Sequence, residues 1–195
     1  SGSRIHVYSW RTGGSAGDFE LIEDDLLKVK PGLSAFARKR DPSGAGASLG
    51  PLLTHAEKKI PAPLRASTPV FLMATAGLRL VGEEASTEAL GGAADALSAS
   101  PFLFRKEWAY IMPGTDEGLF GWVTVNYLMG TLNGATVAPG TSGIIDLGGG
   151  SVQLVYVASD GSALPAGYGD KVTFAGQKHE LYVKSHLGFG LDEAR

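Results

Sequence analysis

The sequence predicts an α/β fold, in which strands and helices alternate along the chain. Two stretches, 5–10 and 152–156, place successive side chains on two different faces with the period of two that is typical of strands, and the second follows a short apolar run at 143–147. Other stretches, such as 119–127, carry apolar residues at helical spacing, and short runs rich in Gly and Pro separate the segments. The length of 195 residues fits one domain or one large lobe with a sizeable core.

The composition excludes several classes of protein. A net charge of −3, with 17 scattered Lys and Arg residues, provides no basic surface for nucleic acid. No run approaches the roughly 20 apolar residues that a membrane span needs, so no membrane contact is expected from these residues. The absence of cysteine excludes disulfides and thiolate chemistry within them.

The first third of the chain predicts a strand pair followed by helices. A strand at 5–10 leads through a glycine-rich turn at 13–17 into a second strand that begins near Phe19. A helix is predicted at 33–38 and a flexible surface loop at 41–47. Ser48 then has the character of an N-cap for a helix that stops before Pro61.

A buried strand at 69–74 ends in a group of residues that suits an anion. The hydroxyl of Thr75, a glycine and the guanidinium of Arg79 follow the strand end, where open α/β sheets bind ligands. The alternative is local: Thr75 caps a helix and Arg79 pairs with Glu83. The segment itself leaves both readings open.

A helix that begins at Ser86 or Thr87 precedes a short strand at 108–112 and a further helix. Asp116 and Glu117 lie at the start of this further helix, where the helix dipole favours acidic side chains. Glu117 can therefore be a helix-start residue or a general base that takes a proton from an attacking water. Its position does not decide between the two.

The stretch 143–156 predicts a strand, a turn of three glycines and a second strand. Three residues without a Cβ let the backbone approach a phosphate chain and turn N–H donors toward it, and Asp146 can hold a hydrated divalent cation beside that phosphate. The alternative is a plain glycine hairpin with a solvated Asp146.

The last part of the chain predicts two more strands, at 171–174 and 180–185, and the start of a helix at 191. Turns are expected at 159–162 and around Gly176. The four histidines have no metal-ligand spacing and are interpreted as surface or strand residues.

Four segments in this order resemble the apyrases, the nucleoside triphosphate diphosphohydrolases: 1–4, 74–79, 115–128 and 146–153. Two further segments, 30–34 and 186–190, are also similar to that family, so the resemblance spans nearly the whole chain.

The resemblance implies an actin-like, ribonuclease H-like fold of two lobes, each a five-stranded mixed sheet flanked by helices, with nucleotide between them. Residues 1–195 correspond to the N-terminal lobe, and the first strand of that lobe and the C-terminal lobe are expected outside this sequence. The implied reaction is hydrolysis of nucleoside tri- and diphosphates with Ca²⁺ or Mg²⁺, in the secretory pathway, the Golgi lumen or outside the cell. The C-terminal lobe of the same protein and the nucleotides are the implied partners.

The resemblance also assigns roles to individual residues. Glu117 matches the catalytic base, and Asp146 matches a carboxylate that holds the metal through water. Thr75, Ser151 and Gln153 match the residues that position the attacking water. The matched phosphate contacts are Ser1, Ser3 and the backbone of Ala76, Gly148 and Gly149. Arg79 is assigned to structure as readily as to phosphate.

Two departures keep other functions open. An Asp that partners Asp146 in the family would precede Ser1, and the base-binding residues would follow Arg195. Gly150 stands where apyrases often carry Ala, which is closer to the exopolyphosphatase and guanosine-pentaphosphate phosphatase group of the same superfamily. A non-catalytic nucleotide-binding module and an inert structural lobe are the alternatives from other classes.

Overall fold

A computed structural model describes residues 2–12, 19–132, 140–158, 164–174 and 177–193. The turns predicted at 13–17, at 159–162 and around Gly176 lie outside the described residues. The chain forms two compact units, Ser1–Ile111 and Met112–Arg195, which are described separately.

The first unit contains two small sheets. Strands β1 (Ser3–Thr12) and β2 (Phe19–Val29) form an antiparallel hairpin, with a register shift between Ser9 and Trp10. Strands β3 (Leu72–Ala74) and β4 (Ala109–Ile111) form a parallel pair. The helices are α1 (Leu33–Ala37), α2 (Pro42–Ala47), α3 (Gly50–Lys59), α4 (Ala62–Arg65), α5 (Ala76–Arg79) and α6 (Glu83–Ser98).

The predicted loop at 41–47 is wrong, because Pro42–Ala47 is helix α2. Asp41 caps this helix by accepting a hydrogen bond from the N–H of Gly44 at 2.8 Å, and Pro42 occupies the first turn, where its missing N–H costs nothing. Glycine permits close packing on α6, since a Cβ on Gly92 would lie 1.9 Å from the carbonyl oxygen of Pro42. Tertiary packing therefore stabilises a helix in a sequence of low helix propensity.

Two predicted helix starts also differ from the structure. Ser48 does not cap α3; its hydroxyl donates to the carbonyl of Ala45 at 2.7 Å, and Leu49 occupies the cap position. Helix α6 begins at Glu83, before the predicted start at Ser86 or Thr87. The acidic first turn accounts for the earlier start, because negative charge is favourable at a helix N-terminus.

An ion cluster joins β2 to α3. The carboxylate of Asp25 contacts the Lys59 ammonium and the His55 ring. The hydrogen bonds from Lys59 and then His55 lower the pKa of Asp25, and its contact raises the pKa of Lys59. The Asp25 side chain is only 20% exposed, so water screens this cluster less than it screens a pair on an open surface.

The second unit is one helix packed on one antiparallel sheet. Helix α7 spans Gly114–Leu128. The sheet has the order β5-β6-β8-β7, formed by β5 (Ile144–Leu147), β6 (Ser151–Val157), β7 (Gly169–Phe174) and β8 (Gln177–Leu187). Its core is apolar and consists of Trp122, Leu132, Val155, Leu181 and Val183. Residues 191–193 form a turn, and the rest of the predicted helix start lies outside the described residues.

The side chain of Asn126 connects the end of α7 by hydrogen bonds to the segment that precedes β5. It is fully buried, and its amide group donates to the carbonyls of Trp122 and Ser142, each at 2.9 Å. Its carbonyl oxygen accepts from the Ser142 N–H at 2.8 Å and from the Thr131 hydroxyl at 2.9 Å. Because all its polar groups are satisfied, Asn126 stabilises the structure without a ligand.

The strands of the described residues lie in three sheets, of two, two and four strands. This arrangement differs from the single five-stranded mixed sheet that the resemblance implies for one lobe. None of the helices in these residues is long and apolar enough to cross a membrane.

Candidate active site

Backbone hydrogen bonds from residues 188–192 fix the carbonyl groups of the three-glycine turn. The carbonyls of Gly148, Gly149 and Gly150 accept hydrogen bonds from the backbone N–H groups of Leu191, Asp192 and Gly188 respectively, each at 2.9 Å. The N–H of Gly148 donates to Ser151 O at 3.0 Å, whereas the N–H groups of Gly149 and Gly150 donate none of the backbone bonds among the described residues. Two neighbouring N–H groups thus have no backbone acceptor among these residues, and the Asp192 carboxylate lies beside the first of them.

Gly190 permits this contact because it has no Cβ, and Gly149 lies against the side chain of Asp192. A Cβ on Gly190 would lie 2.3 Å from the carbonyl oxygen of Gly149, and a Cβ on Gly149 would lie 2.5 Å from Asp192 Oδ2. The sequence resemblance included 186–190 but predicted no role for it. Residues 188–192, which shape the turn, are therefore the part of the site that sequence reasoning missed.

Ser151 and Gln153 form a buried polar pair directly after the turn. They are 2% and 1% exposed, and Gln153 Nε2 donates to Ser151 Oγ at 2.7 Å. The same nitrogen donates to Ser185 Oγ on β8 at 2.9 Å. Ser185 was not predicted, since its proximity follows only from the pairing of Gln153 with Ser185 in the sheet.

Helix α7 packs on Gln153 of this pair through Gly118, the residue after Glu117. A Cβ on Gly118 would lie 3.1 Å from Gln153 Cβ and 2.9 Å from Val155 Cγ2, so the helix backbone lies as close to β6 as a glycine allows. Glu117, the preceding residue, is half-buried in the same turn. The second unit therefore brings the Glu117 turn and the Ser151–Gln153 pair together.

Asp146 is exposed near the end of β5, directly opposite Gln153 in the register. Directly opposite residues share a face of the sheet, so Asp146 and Gln153 lie on the same face. Among the described residues no three His, Asp or Glu side chains form a metal cluster. One exposed carboxylate beside backbone donors fits Mg²⁺ or Ca²⁺ held through water and phosphate oxygens, since these cations prefer oxygen ligands.

The first unit brings two other predicted residues together. Ser3 and Thr75 line a cavity of about 280 Å³, with Ser34 and Gly77 among the other lining residues. Thr75 occupies the N-cap position of α5 but its side chain makes no capping hydrogen bond. Ala76 is buried at the start of α5. Ser1 lies outside the described residues.

Comparison with known proteins gives matches over the entire chain. A model of the GDA1/CD39 (nucleoside phosphatase) family matches residues 1–195. A guanosine-diphosphatase from Schizosaccharomyces pombe is 42% identical over 201 residues, which cover 100% of this chain and 35% of the relative. A probable apyrase 1 from Oryza sativa subsp. japonica is 44% identical over 209 residues, which cover 100% of this chain and 41% of the relative. A nucleoside-triphosphatase from Pisum sativum is 41% identical over 204 residues, which cover 100% of this chain and 44% of the relative.

The chain thus spans less than half the length of these relatives. A crystal structure of nucleoside triphosphate hydrolases from Neospora caninum matches with a TM-score of 0.54 and 20% identity, covering 82% of this chain and 31% of that one. This likeness is one of fold, and it confirms the predicted α/β class.

Proposed function

Because the chain belongs to the GDA1/CD39 (nucleoside phosphatase) family, we propose that the full-length protein hydrolyses nucleoside tri- and diphosphates to the monophosphate and phosphate. The observation that carries this proposal is the packing of the Glu117 turn on Gln153 of the buried Ser151–Gln153 pair, beside a glycine turn with two N–H groups that have no backbone acceptor among the described residues.

The glycine turn binds the phosphate chain. The N–H groups of Gly149 and Gly150 donate to phosphate oxygens, and Gly148 keeps the backbone close enough for this contact. Because the turn's carbonyls are already engaged by 188–192, the donors need no rearrangement when negative charge develops. By family resemblance, Ser1, Ser3 and Ala76 also make phosphate contacts.

Glu117 acts as the general base. Its carboxylate takes a proton from the water that attacks the terminal phosphorus. The oxygen of that water forms the new P–O bond as the bond from this phosphorus to the bridging oxygen breaks, and the nucleoside di- or monophosphate leaves. Ser151 and Gln153 hold the water in line with the bond that breaks, and the family resemblance assigns the same role to Thr75. The reaction needs no phosphoenzyme.

A divalent cation, Ca²⁺ or Mg²⁺, neutralises phosphate charge when bound. Asp146 is the residue of this chain that would hold it, through water, because its carboxylate is exposed and shares a face with Gln153. The chain corresponds to the N-terminal lobe of a two-lobed enzyme, with its first strand and the C-terminal lobe supplied by other parts of the protein. The family resemblance supports a location of that enzyme in the secretory pathway or outside the cell.

The substrate class is tested on the full-length protein with a nucleoside triphosphate, GDP and long-chain polyphosphate side by side, with Mg²⁺ or Ca²⁺. Release of phosphate from both nucleotides is expected. Release from polyphosphate but not from GDP would instead support an exopolyphosphatase. Binding of nucleotide without turnover would support a non-catalytic module, and no binding would indicate a structural lobe.

The Glu117→Gln variant tests the general base. It keeps the size of the side chain and removes the proton acceptor, so turnover is expected to fall about 10²- to 10⁴-fold while nucleotide binding survives. Asp116→Asn is the matched control, because Asp116 lies in the same first turn. Near-normal turnover of Glu117→Gln, or equal loss in a folded Asp116→Asn protein, would remove Glu117 from the mechanism.

A further inference from the structure

We propose that Ser185 is a positioning residue for this hydrolysis, and that it acts by fixing the orientation of the Gln153 side-chain amide. This inference rests on the proposed function, in which Gln153 holds the attacking water. Neither the family resemblance nor the motifs assign a role to Ser185, which lies on β8, 32 residues beyond Gln153.

Two hydrogen bonds occupy the nitrogen end of the Gln153 side-chain amide. A glutamine amide has two N–H donors on Nε2 and an acceptor oxygen, Oε1. The hydroxyl oxygens of Ser151, at 2.7 Å, and Ser185, at 2.9 Å, accept both N–H groups. Oε1 is therefore the group left to accept a hydrogen bond from water. With one serine alone, the second N–H would lack its acceptor.

The position of Ser185 and Gln153 in the sheet indicates a role in positioning and not in ordinary core packing. Further along the same face, Val155 pairs with Val183, and both are buried and apolar. The polar side chains Ser151, Gln153 and Ser185 lie instead at the end of the sheet beside the glycine turn. Burying an amide costs free energy unless it is bonded, so a structural core would be served as well by apolar residues here.

The test measures kcat and KM on the full-length protein with a nucleoside triphosphate. Ser185→Ala removes one acceptor, so kcat is expected to fall about 3- to 10-fold, the rate equivalent of one neutral hydrogen bond. KM is expected to stay within about twofold, because the amide positions water and not nucleotide. Ser185→Thr keeps the hydroxyl and should restore most of kcat. Ser98→Ala, which removes a hydroxyl bonded to Ala94 O on α6, is the control.

A double-mutant cycle with Gln153→Ala shows whether Ser185 acts through the amide. The double variant is expected to be no slower than Gln153→Ala alone, because Ser185 has nothing left to orient. A merely structural Ser185 would lower the melting temperature and lower kcat further in that background. If Ser185→Ala does not fold, Ser185→Cys gives the same comparison, since its sulfur is a weak acceptor.

The outcomes are distinguishable. A slow Gln153→Ala with an unchanged Ser185→Ala would overturn the Ser185 role and leave the proposed function intact. Additive losses in the double variant would overturn it in the same way. An unchanged kcat for Gln153→Ala would remove Gln153 from the proposed mechanism, and Ser185 with it. The proposal would be supported if Ser185→Ala lowers kcat about 3- to 10-fold, if Ser185→Thr keeps most of kcat, and if Ser185→Ala has no further effect on kcat in the Gln153→Ala background.

Discussion

The contact between Gly118 and β6 predicts a large difference between two glycines of the same helix. Gly118→Ala would place a Cβ 2.9 Å from Val155 Cγ2 and 3.1 Å from Gln153 Cβ. Ordinary carbon contacts lie at about 3.5–4.0 Å, so the atoms must separate by roughly 0.6–1 Å. Val155 is fully buried and Gln153 is held by two hydrogen bonds, so the first turn of α7 is expected to move instead.

This displacement sets the expected loss of stability and of kcat in Gly118→Ala. Overpacking of a core costs about 1–3 kcal/mol, and replacing a helical glycine with alanine recovers up to about 1 kcal/mol. The melting temperature should therefore fall by a few degrees, at about 2–4 °C for each kcal/mol in a domain of about 150–250 residues. Because Glu117 moves with its turn and a 1 Å misplacement can cost about 100-fold, kcat should fall about 10- to 100-fold.

Gly121→Ala is the matched control. Its Cβ would meet only Ile144 Cδ1, at 3.0 Å, which is the end of a side chain that can rotate. Gly121→Ala should therefore keep kcat close to that of the parent protein, and its melting temperature should be equal to or slightly above the parent's, because the helix-propensity gain is not offset by a clash with fixed atoms. Both variants are compared by thermal melting and by initial rates on the full-length protein. Equal kcat values for the two variants would refute the reasoning that Gly118 sets the position of Glu117.

Two further predictions concern Asp146 and Asp25. Asp146→Asn should raise the Mg²⁺ or Ca²⁺ concentration needed for half-maximal turnover by about 10- to 100-fold, the usual loss for a residue that holds a metal through water. An unchanged metal titration would contradict the role of Asp146 in metal binding. Asp25→Asn should lower the melting temperature at neutral pH. Hydrogen bonds from Lys59 and His55 lower the pKa of Asp25 in the folded protein below its usual value of 3.8. The ionised carboxylate therefore stabilises the fold above pH 3.8, and this stabilisation is lost as the pH falls through the lowered pKa. The melting curves of parent and variant should converge in strong acid, whereas Asp24→Asn, at an exposed carboxylate paired with His6, should change little at any pH.

The sequence predicted most strands and long helices, because their patterns are local. The alternation at 5–10 lies in β1, the glycine turn at 148–150 joins β5 to β6, and the helical spacing at 119–127 lies in α7. The short helix α2 was not predictable in the same way. Its residues have low helix propensity, and its stability depends on a cap at Asp41 and on close packing with Gly92 of α6.

The candidate site was predictable by residue but not by arrangement. The motif resemblance supplied Glu117, Asp146, Ser151 and Gln153, whose catalytic roles stay predictions. Ser185 carried no local signal, because only the sheet register places it opposite Gln153. The division into two compact units was likewise not visible in composition or spacing, and the assignment of the whole chain to one lobe stays a prediction.

The hydrogen bonds from 188–192 to the glycine turn have a consequence for the order of folding. The turn at 148–150 receives its carbonyl partners from residues about forty positions later in the chain, beyond β6, β7 and β8. Contacts between distant residues form only after the intervening chain has lost much of its freedom, so they are slow. The turn is therefore expected to acquire its anion-binding form only after β8 has paired with β6, which makes phosphate binding a late event in the folding of the second unit.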